Sequence, residues 1–301
     1  MSGRPISIGI KTSPQKVDWP ALDAAWARIG EHDVFESVWL NDHLTDPREL
    51  RGGSSFEAMT TIAALAHRVP GKWLGHAVLS ATFRHPSVLA KQATVLDHAT
   101  GGRFIVGLGA GWHEGEHGPF AIPLPPMRER FDRFESTIRV LLALFSPDAA
   151  TEAGVTLDDR LFPLDGATNE PPPLTPGGPP IWLGGQRPRG IRLAAQFGRG
   201  WFAPAILPDG AEPTVEYFAE RRSAVVAALQ AAGRDPADFA FATQVRVGPS
   251  PAERRGALDE ARDFAGAGAT HLLLGMPANL GARGVDDVAR EVAEPLRQAL
   301  G

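Results

Sequence analysis

The sequence predicts an α/β protein that folds as a single (β/α)8 TIM barrel with an insertion after the fourth helix. Two observations predict this class: eight short apolar runs alternate with eight segments of helical periodicity, and the runs are mostly continuous. Continuous apolar runs are typical of parallel strands that are buried on both faces of a sheet. Eight β-then-α units in 301 residues favour a closed barrel over a doubly wound open sheet, which needs fewer units and would require a second domain.

The predicted strands are 5 to 9 residues long. They are Ile6–Ile10, Phe35–Asp42, Lys72–Ser80, Phe104–Ala110, Pro180–Gly185, Gly200–Ala205, Phe239–Val247 and His271–Met276. The predicted helices follow them in order: Trp19–His32, Ser54–Val69, Pro86–Thr100, Met127–Phe145, Arg187–Phe197, Thr214–Ala232, Pro251–Ala267 and Val285–Leu300. In the fourth helix, apolar residues such as Phe134, Ile138 and Leu141 recur at spacings of three and four, which marks one helix face.

One stretch interrupts this alternation of strands and helices. Residues 147–178 are rich in Pro, Gly and acidic residues and show no helical period. We interpret them as an insertion with a short hairpin within one domain that spans residues 1–301.

The composition narrows the classes of function. The formal net charge is -5, which argues against a nucleic-acid partner. The sequence contains no run of 18 apolar residues, so a membrane-spanning helix is not expected. The chain contains 0 Cys, so disulfides and thiolate chemistry are excluded, as are metal sites with Cys ligands. The expectation is a cytoplasmic enzyme that acts on a small molecule.

The active site of such a barrel lies at the C-terminal ends of its strands. Asp42 and His43 follow the second predicted strand and are the strongest acid–base candidates, because a neighbouring carboxylate can orient an imidazole that titrates near neutral pH. The alternative is that Asp42 caps the next turn and His43 is an incidental surface residue.

Glycines dominate the end of the fourth strand, in the run Gly107-Leu108-Gly109-Ala110-Gly111. The spacing and the absence of a helix directly after the run argue against a dinucleotide fingerprint. Close approach of the backbone to a flat ligand explains the glycines better, and a tight turn is the alternative. Trp112 follows this run and could stack on a ring.

The next residues, His113-Glu114-Gly115-Glu116-His117, match the pattern of a zinc protease. That site needs both imidazoles one turn apart on a stable helix, and the glycines around this segment disfavour a helix. A third ligand could be Glu135, but we expect a loop here and no metal site.

An anion site is predicted where the fifth strand meets its helix. Gly184, Gly185, Gln186 and Arg187 combine flexible backbone, a cation and the N-terminus of a helix. This would be the phosphate end of a cofactor, and an ordinary connection with a solvated Arg is the alternative.

Three blocks, taken in order, resemble the luciferase-like monooxygenase superfamily. They are VWLNDH at 38–43, LGHAVLSATFRHPSVLAKQATVLDHATGGRFIVGLGAGWHEGEHGPF at 74–120, and PPIWLGGQRPRGIRLAAQFGRGWF at 179–202. Trp39, the Asp42-His43 pair and the GAGWHE block are most similar to the branch that uses the deazaflavin F420, and FMN is the alternative cofactor.

The resemblance implies hydride transfer between F420 and an unidentified small organic substrate in a homodimeric enzyme. Asp42 would lie against the deazaflavin and His43 would move the proton. Ala77-Val78 matches the family's non-prolyl cis peptide, while Ser80, Ala110 and Gly111 would line the ring and tail of the cofactor. The set Gly184, Gly185, Gln186 and Arg187 would hold its phosphate.

The sequence also departs from the family's sugar-phosphate dehydrogenases. Their catalytic Glu directly follows the glycine turn, where this chain has Trp112, and Glu114 comes two residues later. Glu114 is therefore a candidate catalytic residue, and Trp39, Trp112 and His113 are candidates for the substrate pocket. Two other classes stay open: an FMN-dependent monooxygenase on the same barrel, and a non-catalytic F420-binding protein.

Overall fold

Parallel pairing continues around a closed ring of strands in the computed structural model, which describes residues 6–47, 49, 53–207, 210–276 and 280–300. The strands are β1 Ser7–Lys11, β2 Ser37–Leu40, β3 Trp73–His76, β4 Leu79–Ser80, β5 Phe104–Gly109, β6 Val155–Leu157, β7 Leu164–Ala167, β8 Ile181–Gly184, β9 Gly200–Phe202, β10 Ala240–Arg246 and β11 His271–Gly275. The ring runs β1, β2, β3, β5, β8, β9, β10, β11 and returns to β1. This closure confirms the predicted barrel and excludes the open sheet.

The third barrel strand is split into two short pieces. β3 and β4 both pair in parallel with β5, and the residues between them, Ala77 and Val78, are joined by a cis peptide bond. The other predicted strands are each present and differ from the prediction by a few residues at their ends.

The helices are α1 Trp19–Gly30, α2 Ala58–Leu65, α3 Pro86–Ala99, α4 Glu114–His117, α5 Met127–Phe145, α6 Pro188–Phe197, α7 Val215–Ala231, α8 Pro251–Gly266, α9 Gly281–Val288 and α10 Glu294–Leu300. Side chains fix several of their starts. Asp18 caps α1 by accepting from the Ala21 N–H, and Ser250 with Glu253 forms a capping box on α8. The last predicted helix begins earlier than expected, at Gly281, and contains a π-helical turn at Ala289–Ala293.

Aromatic side chains fill the barrel interior below its C-terminal end. Trp39, Trp182 and Phe202 pack on one another with ring centroids 5.4 to 5.5 Å apart. Glycines make room for them, since a Cβ at Gly75 would lie 2.5 Å from the Trp39 ring. The interior is therefore a packed core, as is usual for this barrel.

The predicted hairpin is present after α5. β6 and β7 pair antiparallel within the stretch interpreted as an insertion. Within the residues that the structure describes, every helix is too short or too polar to cross a bilayer.

Candidate functional site

His43 lies just beyond the end of β2, where it faces a buried carboxylate from the loop after β5. Its Nδ1 is 2.9 Å from Oε1 of Glu116, and the other oxygen of Glu116 accepts from the Leu44 N–H at 2.9 Å. Glu116 is only 2% exposed. Because a carboxylate oxygen accepts, Nδ1 carries the ring proton and Nε2 is left to face a ligand. This arrangement corrects the expectation that Asp42 orients His43.

Asp42 is held in a different ion pair. Its carboxylate accepts from both Nη atoms of Arg84, at 2.7 and 2.9 Å, and from the Ser80 N–H at 2.9 Å. Asp42 is 4% exposed, so these donors compensate for its burial. The carboxylate thus ties the end of β2 to β4 and positions the backbone that leads into His43.

Arg84 also binds Glu57, the residue that caps α2. Burial alone would raise the pKa of Glu57, but hydrogen bonds from Thr60 and Arg84 lower it to about 2. Burial likewise opposes the charge of Arg84, yet the carboxylates of Asp42 and Glu57 raise its pKa. Glu57 and Arg84 are therefore both charged at neutral pH.

His76 lies fully buried near this network, on the face of β3 that packs against Phe104. Burial lowers the pKa of His76 to about 4. Neither ring nitrogen makes a hydrogen bond with any described side chain or backbone group, although the Ala58 backbone is near. His76 is consequently a neutral core residue at neutral pH.

Glycines from two strands flank the side chain of Val78. A Cβ at Gly109 would lie 2.8 Å from Cγ2 of Val78, and one at Gly184 would lie 3.6 Å from the same methyl. The structure therefore brings together Val78 and the ends of β5 and β8. The missing Cβ at Gly109 therefore makes room for the Val78 side chain at the ends of these strands.

A chain of hydrogen bonds starts at Ser80, beside Gly111. A Cβ at Gly111 would lie 2.7 Å from Ser80 Oγ and 2.8 Å from Thr82 Oγ1. The two hydroxyls are 2.6 Å apart, and Thr82 Oγ1 is 2.7 Å from Nε2 of His117. His117 Nδ1 faces the His113 carbonyl at 2.6 Å and must donate to it. In the neutral ring, Nε2 then accepts from Thr82, Thr82 accepts from Ser80, and Ser80 keeps its lone pairs for a ligand donor.

The predicted anion site lies in the turn between β8 and α6. Gly185, at φ 139°, packs against Gly190 in the first turn of α6, and its carbonyl accepts from the Trp201 indole at 2.8 Å. Arg187 is the exposed residue before the helix, and no side chain caps the first turn. Free N–H groups at a helix N-terminus beside a cation suit a phosphate. Gln186 in this turn is partly buried, and so is Ala110, which follows β5.

The remaining candidates differ in their distance from His43 and in their exposure to solvent. Trp112 stands at the barrel mouth, 58% exposed, with its ring 5.9 Å from that of His43 and 4.9 Å from that of His113. Trp39 is 0% exposed, and its indole donates to Ser37 Oγ, so its assignment to the substrate pocket is corrected to the barrel core. Glu114 is exposed, and the carboxylate that reaches His43 is Glu116.

The segment with the zinc-protease pattern forms one helical turn, α4, contrary to the expected loop. His117 is 2% exposed and has both ring nitrogens in hydrogen bonds, and Glu135 binds Arg189. Among the described residues, no three His, Asp or Glu side chains are grouped to hold a metal ion.

Sequence reasoning missed Glu116 and Arg84 as members of the site. Glu116 is 73 positions from His43, and Arg84 is 42 positions from Asp42. Local patterns do not reveal such pairs. The parallel strand order does place the loops after β2, β4 and β5 at one end, which was the available signal.

Comparisons with known proteins agree on the kind of fold. The family model described as luciferase-like monooxygenase matches residues 15–296. An F420-dependent glucose-6-phosphate dehydrogenase of Nakamurella multipartita is 29% identical over 73% of this chain and 64% of its own length. A phthiodiolone/phenolphthiodiolone dimycocerosates ketoreductase of Mycobacterium sp. (strain JLS) is 32% identical over 76% of this chain and 60% of its own length.

The chain thus spans about six-tenths of the length of these two curated relatives. Among solved structures, the coenzyme F420-dependent tetrahydromethanopterin reductase of Methanopyrus kandleri is similar, with a TM-score of 0.77 at 16% identity. That comparison covers 97% of this chain and 100% of the other, and at this identity it shows the fold alone.

Proposed function

Because the chain belongs to the luciferase-like monooxygenase family, we propose that it is an F420-dependent oxidoreductase in which His43 moves the proton that accompanies hydride transfer. The observation that carries this proposal is the buried Glu116 on Nδ1 of His43, which leaves Nε2 free at the barrel mouth. The relative from Nakamurella multipartita, an F420-dependent dehydrogenase, supports F420 as the cofactor.

The described residues fit a flat ring that carries a phosphate tail. Val78, with Gly109 and Gly184 packed close to its side chain, would offer one face of the ring an apolar surface. Ser80 offers an acceptor, and Arg187 with the start of α6 offers a phosphate site. When bound, F420 would supply or accept the hydride.

The chain's own residues would then handle the proton. In the reductive direction, protonated Nε2 of His43 donates to the substrate oxygen while Glu116 stabilises the positive ring. In the oxidative direction, neutral Nε2 takes the hydroxyl proton. Asp42, with Arg84 on its carboxylate, holds the strand end and does not exchange protons with His43.

Cofactor titrations of the purified protein test the proposal. We expect saturable binding of F420, followed by fluorescence, and weak binding of FMN. Tight FMN binding with oxygen consumption would instead favour the monooxygenase alternative. F420 binding without turnover across a panel of reducible substrates would favour the non-catalytic alternative, and binding of neither cofactor would overturn the cofactor site.

We further propose that residues 1–301 form one domain of a cytoplasmic homodimer that acts on small molecules, without a nucleic-acid or membrane partner. The ordinary acidic composition and the absence of Cys support this assignment. Sedimentation of the purified protein should give the mass of a dimer, and a monomeric mass would contradict it.

A further inference from the structure

A hydrogen-bonded row of three side chains, Ser80, Thr82 and His117, ends at a histidine that has no part in the proposed proton transfer. His117 is the last residue of α4 and is 2% exposed, and the Phe83 ring packs on it with the ring centroids 5.0 Å apart. Thr82, in the middle of the row, is 9% exposed. Solvent therefore has little access to these two residues, and their hydrogen-bond partners are groups of the protein itself.

The backbone carbonyl of His113 sets the direction of the hydrogen bonds in the row. It is 2.6 Å from Nδ1 of His117, and a carbonyl oxygen only accepts, so Nδ1 carries the proton of the neutral ring. Nε2, which is 2.7 Å from Thr82 Oγ1, then accepts the only proton of that hydroxyl. The 2.6 Å contact between the two hydroxyls consequently uses the proton of Ser80. The Ser80 hydroxyl has only lone pairs left for a ligand.

We infer that His117 and Thr82 are positioning residues of the cofactor site, which hold the Ser80 hydroxyl as an acceptor and so select a ligand with an N–H or O–H group at this place. The inference rests on the proposed function and adds two residues and a ligand group to it. A carbonyl or phosphate oxygen beside Ser80 would face lone pairs and gain no hydrogen bond. A deazaflavin cofactor has two groups of the required chemistry, the imide N–H of its ring and the hydroxyls of its side chain.

A double-mutant cycle in cofactor binding tests the inference. Thr82→Val removes the middle hydroxyl at nearly constant volume and releases the Ser80 hydroxyl from its fixed orientation. The Kd for F420 should therefore rise about three- to ten-fold, within the range of one hydrogen bond. In the Ser80→Ala background the same change should alter the Kd by less than about two-fold, because the positioned group is absent. Equal effects of Thr82→Val in the two backgrounds would overturn the inference.

Two further variants separate positioning from packing. Thr82→Ser keeps the middle hydroxyl and should restore most of the F420 affinity. Thr243→Val is the matched control, because Thr243 is 1% exposed and its hydroxyl has no partner among the described residues. Thr243 lies on β10, which is not a neighbour of β5 in the ring, so this variant should bind F420 as the parent does. Equal losses of affinity in Thr82→Ser and Thr82→Val would contradict the inference.

The tautomer of His117 can be measured without any cofactor. The nitrogen-15 shifts of its imidazole, assigned by comparison with His117→Gln, should show the proton on Nδ1 and none on Nε2. A proton on Nε2 would reverse the hydrogen bonds of the row and overturn the inference.

Methylation of the ring imide distinguishes the two possible donor groups of the cofactor. If the imide N–H binds Ser80, F420 methylated at that nitrogen should have the same Kd for the parent and for Thr82→Val. If a side-chain hydroxyl binds Ser80, the methylated cofactor should keep the difference between the two proteins. Either result supports the inference and identifies the group that Ser80 accepts from.

The two proposals can fail separately. FMN also carries an imide N–H and side-chain hydroxyls, so the cycle is repeated with FMN if the protein binds that cofactor instead. A coupled cycle with FMN would support the positioning role of His117 and Thr82 and defeat the proposed function. An additive cycle with F420 would defeat only the inference.

Discussion

Nδ1 of His43 and Oε1 of Glu116 are 2.9 Å apart, although the two residues are 73 positions apart in the chain. The pair sets the tautomer of the imidazole, because the second oxygen of Glu116 accepts from the Leu44 N–H and the carboxylate cannot turn away. Nε2 therefore has one role for each protonation state of the ring, as base when neutral and as acid when charged.

Replacing Glu116 by Gln should reverse that tautomer. The amide oxygen would keep the Leu44 N–H, and the amide NH2 would then face Nδ1 and force the proton onto Nε2. We expect turnover to fall by about 10²- to 10⁴-fold, with the nitrogen-15 shifts of the imidazole reporting the new tautomer. Glu114→Gln is the matched control, because Glu114 is exposed on the same helical turn. Unchanged shifts in the Glu116 variant would refute this role.

His43→Ala should separate binding from chemistry. The side chain moves a proton in our proposal and holds no part of the phosphate, so the Kd for F420 should stay within about three-fold while turnover falls by about 10²- to 10⁴-fold. Fluorescence titration and steady-state rates measure the two effects. Full turnover in this variant would remove His43 from the mechanism.

Arg84→Met should destabilise the fold because Asp42 would stay buried, at 4% exposure, without its cation. We expect the free energy of unfolding to fall by about 3–5 kcal/mol in urea titrations. Arg68→Met, which breaks the more exposed pair with Asp23, should cost much less stability, because solvent screens that pair. The double change Arg84→Met with Asp42→Leu should recover much of the loss, and a lack of recovery would contradict the charge argument.

His76 should make the stability fall in mild acid. Burial lowers its pKa from 6.5 to about 4, so the unfolded chain binds the proton first. The contribution of His76 to the free energy of unfolding is therefore fully present above pH 6.5. It is lost as the pH falls from 6.5 toward 4, and the total loss is about 3 kcal/mol. His76→Leu should flatten this part of the curve of unfolding free energy against pH. A parallel curve in the variant would assign the acid sensitivity to other groups.

Two glycines with nearly equal backbone angles offer a matched test of the cofactor cradle. Gly111 has φ +83° and Gly71 has φ +81°, but an added Cβ meets Ser80 and Thr82 only at Gly111. Both changes to Ala should cost about 1–2 kcal/mol of stability from the backbone angle. Only Gly111→Ala should also break the Ser80–Thr82 contact and weaken F420 binding. Equal F420 affinity in the two variants would argue against a role for Ser80.

The barrel could be predicted because its signals are local. Each strand is a continuous apolar run and each helix has its own period, so eight repeats of the pair identify the architecture without long-range information. The glycine-rich strand ends at 109, 111, 184 and 185 could be predicted for the same reason, because a cluster of glycines is visible in the local sequence alone.

The pairings within the site were not predictable, because they depend on which loops meet at the barrel mouth and on strand register. Asp42 and His43 are adjacent in sequence, yet their side chains reach Arg84 and Glu116 respectively, which come from different segments of the chain. Trp39 shares the inward face with the mouth residues but lies one layer lower, where Trp182 and Phe202 cover it.

The aromatic plug formed by Trp39, Trp182 and Phe202 also bears on the order of events in a catalytic cycle. With the lumen filled below the mouth, ligands can enter and leave only from the open end. When two ligands bind one above the other at a single opening, the ligand that lies deeper in the barrel must bind first and leave last. Product inhibition patterns of the enzyme should therefore be those of a compulsory sequence rather than of random addition.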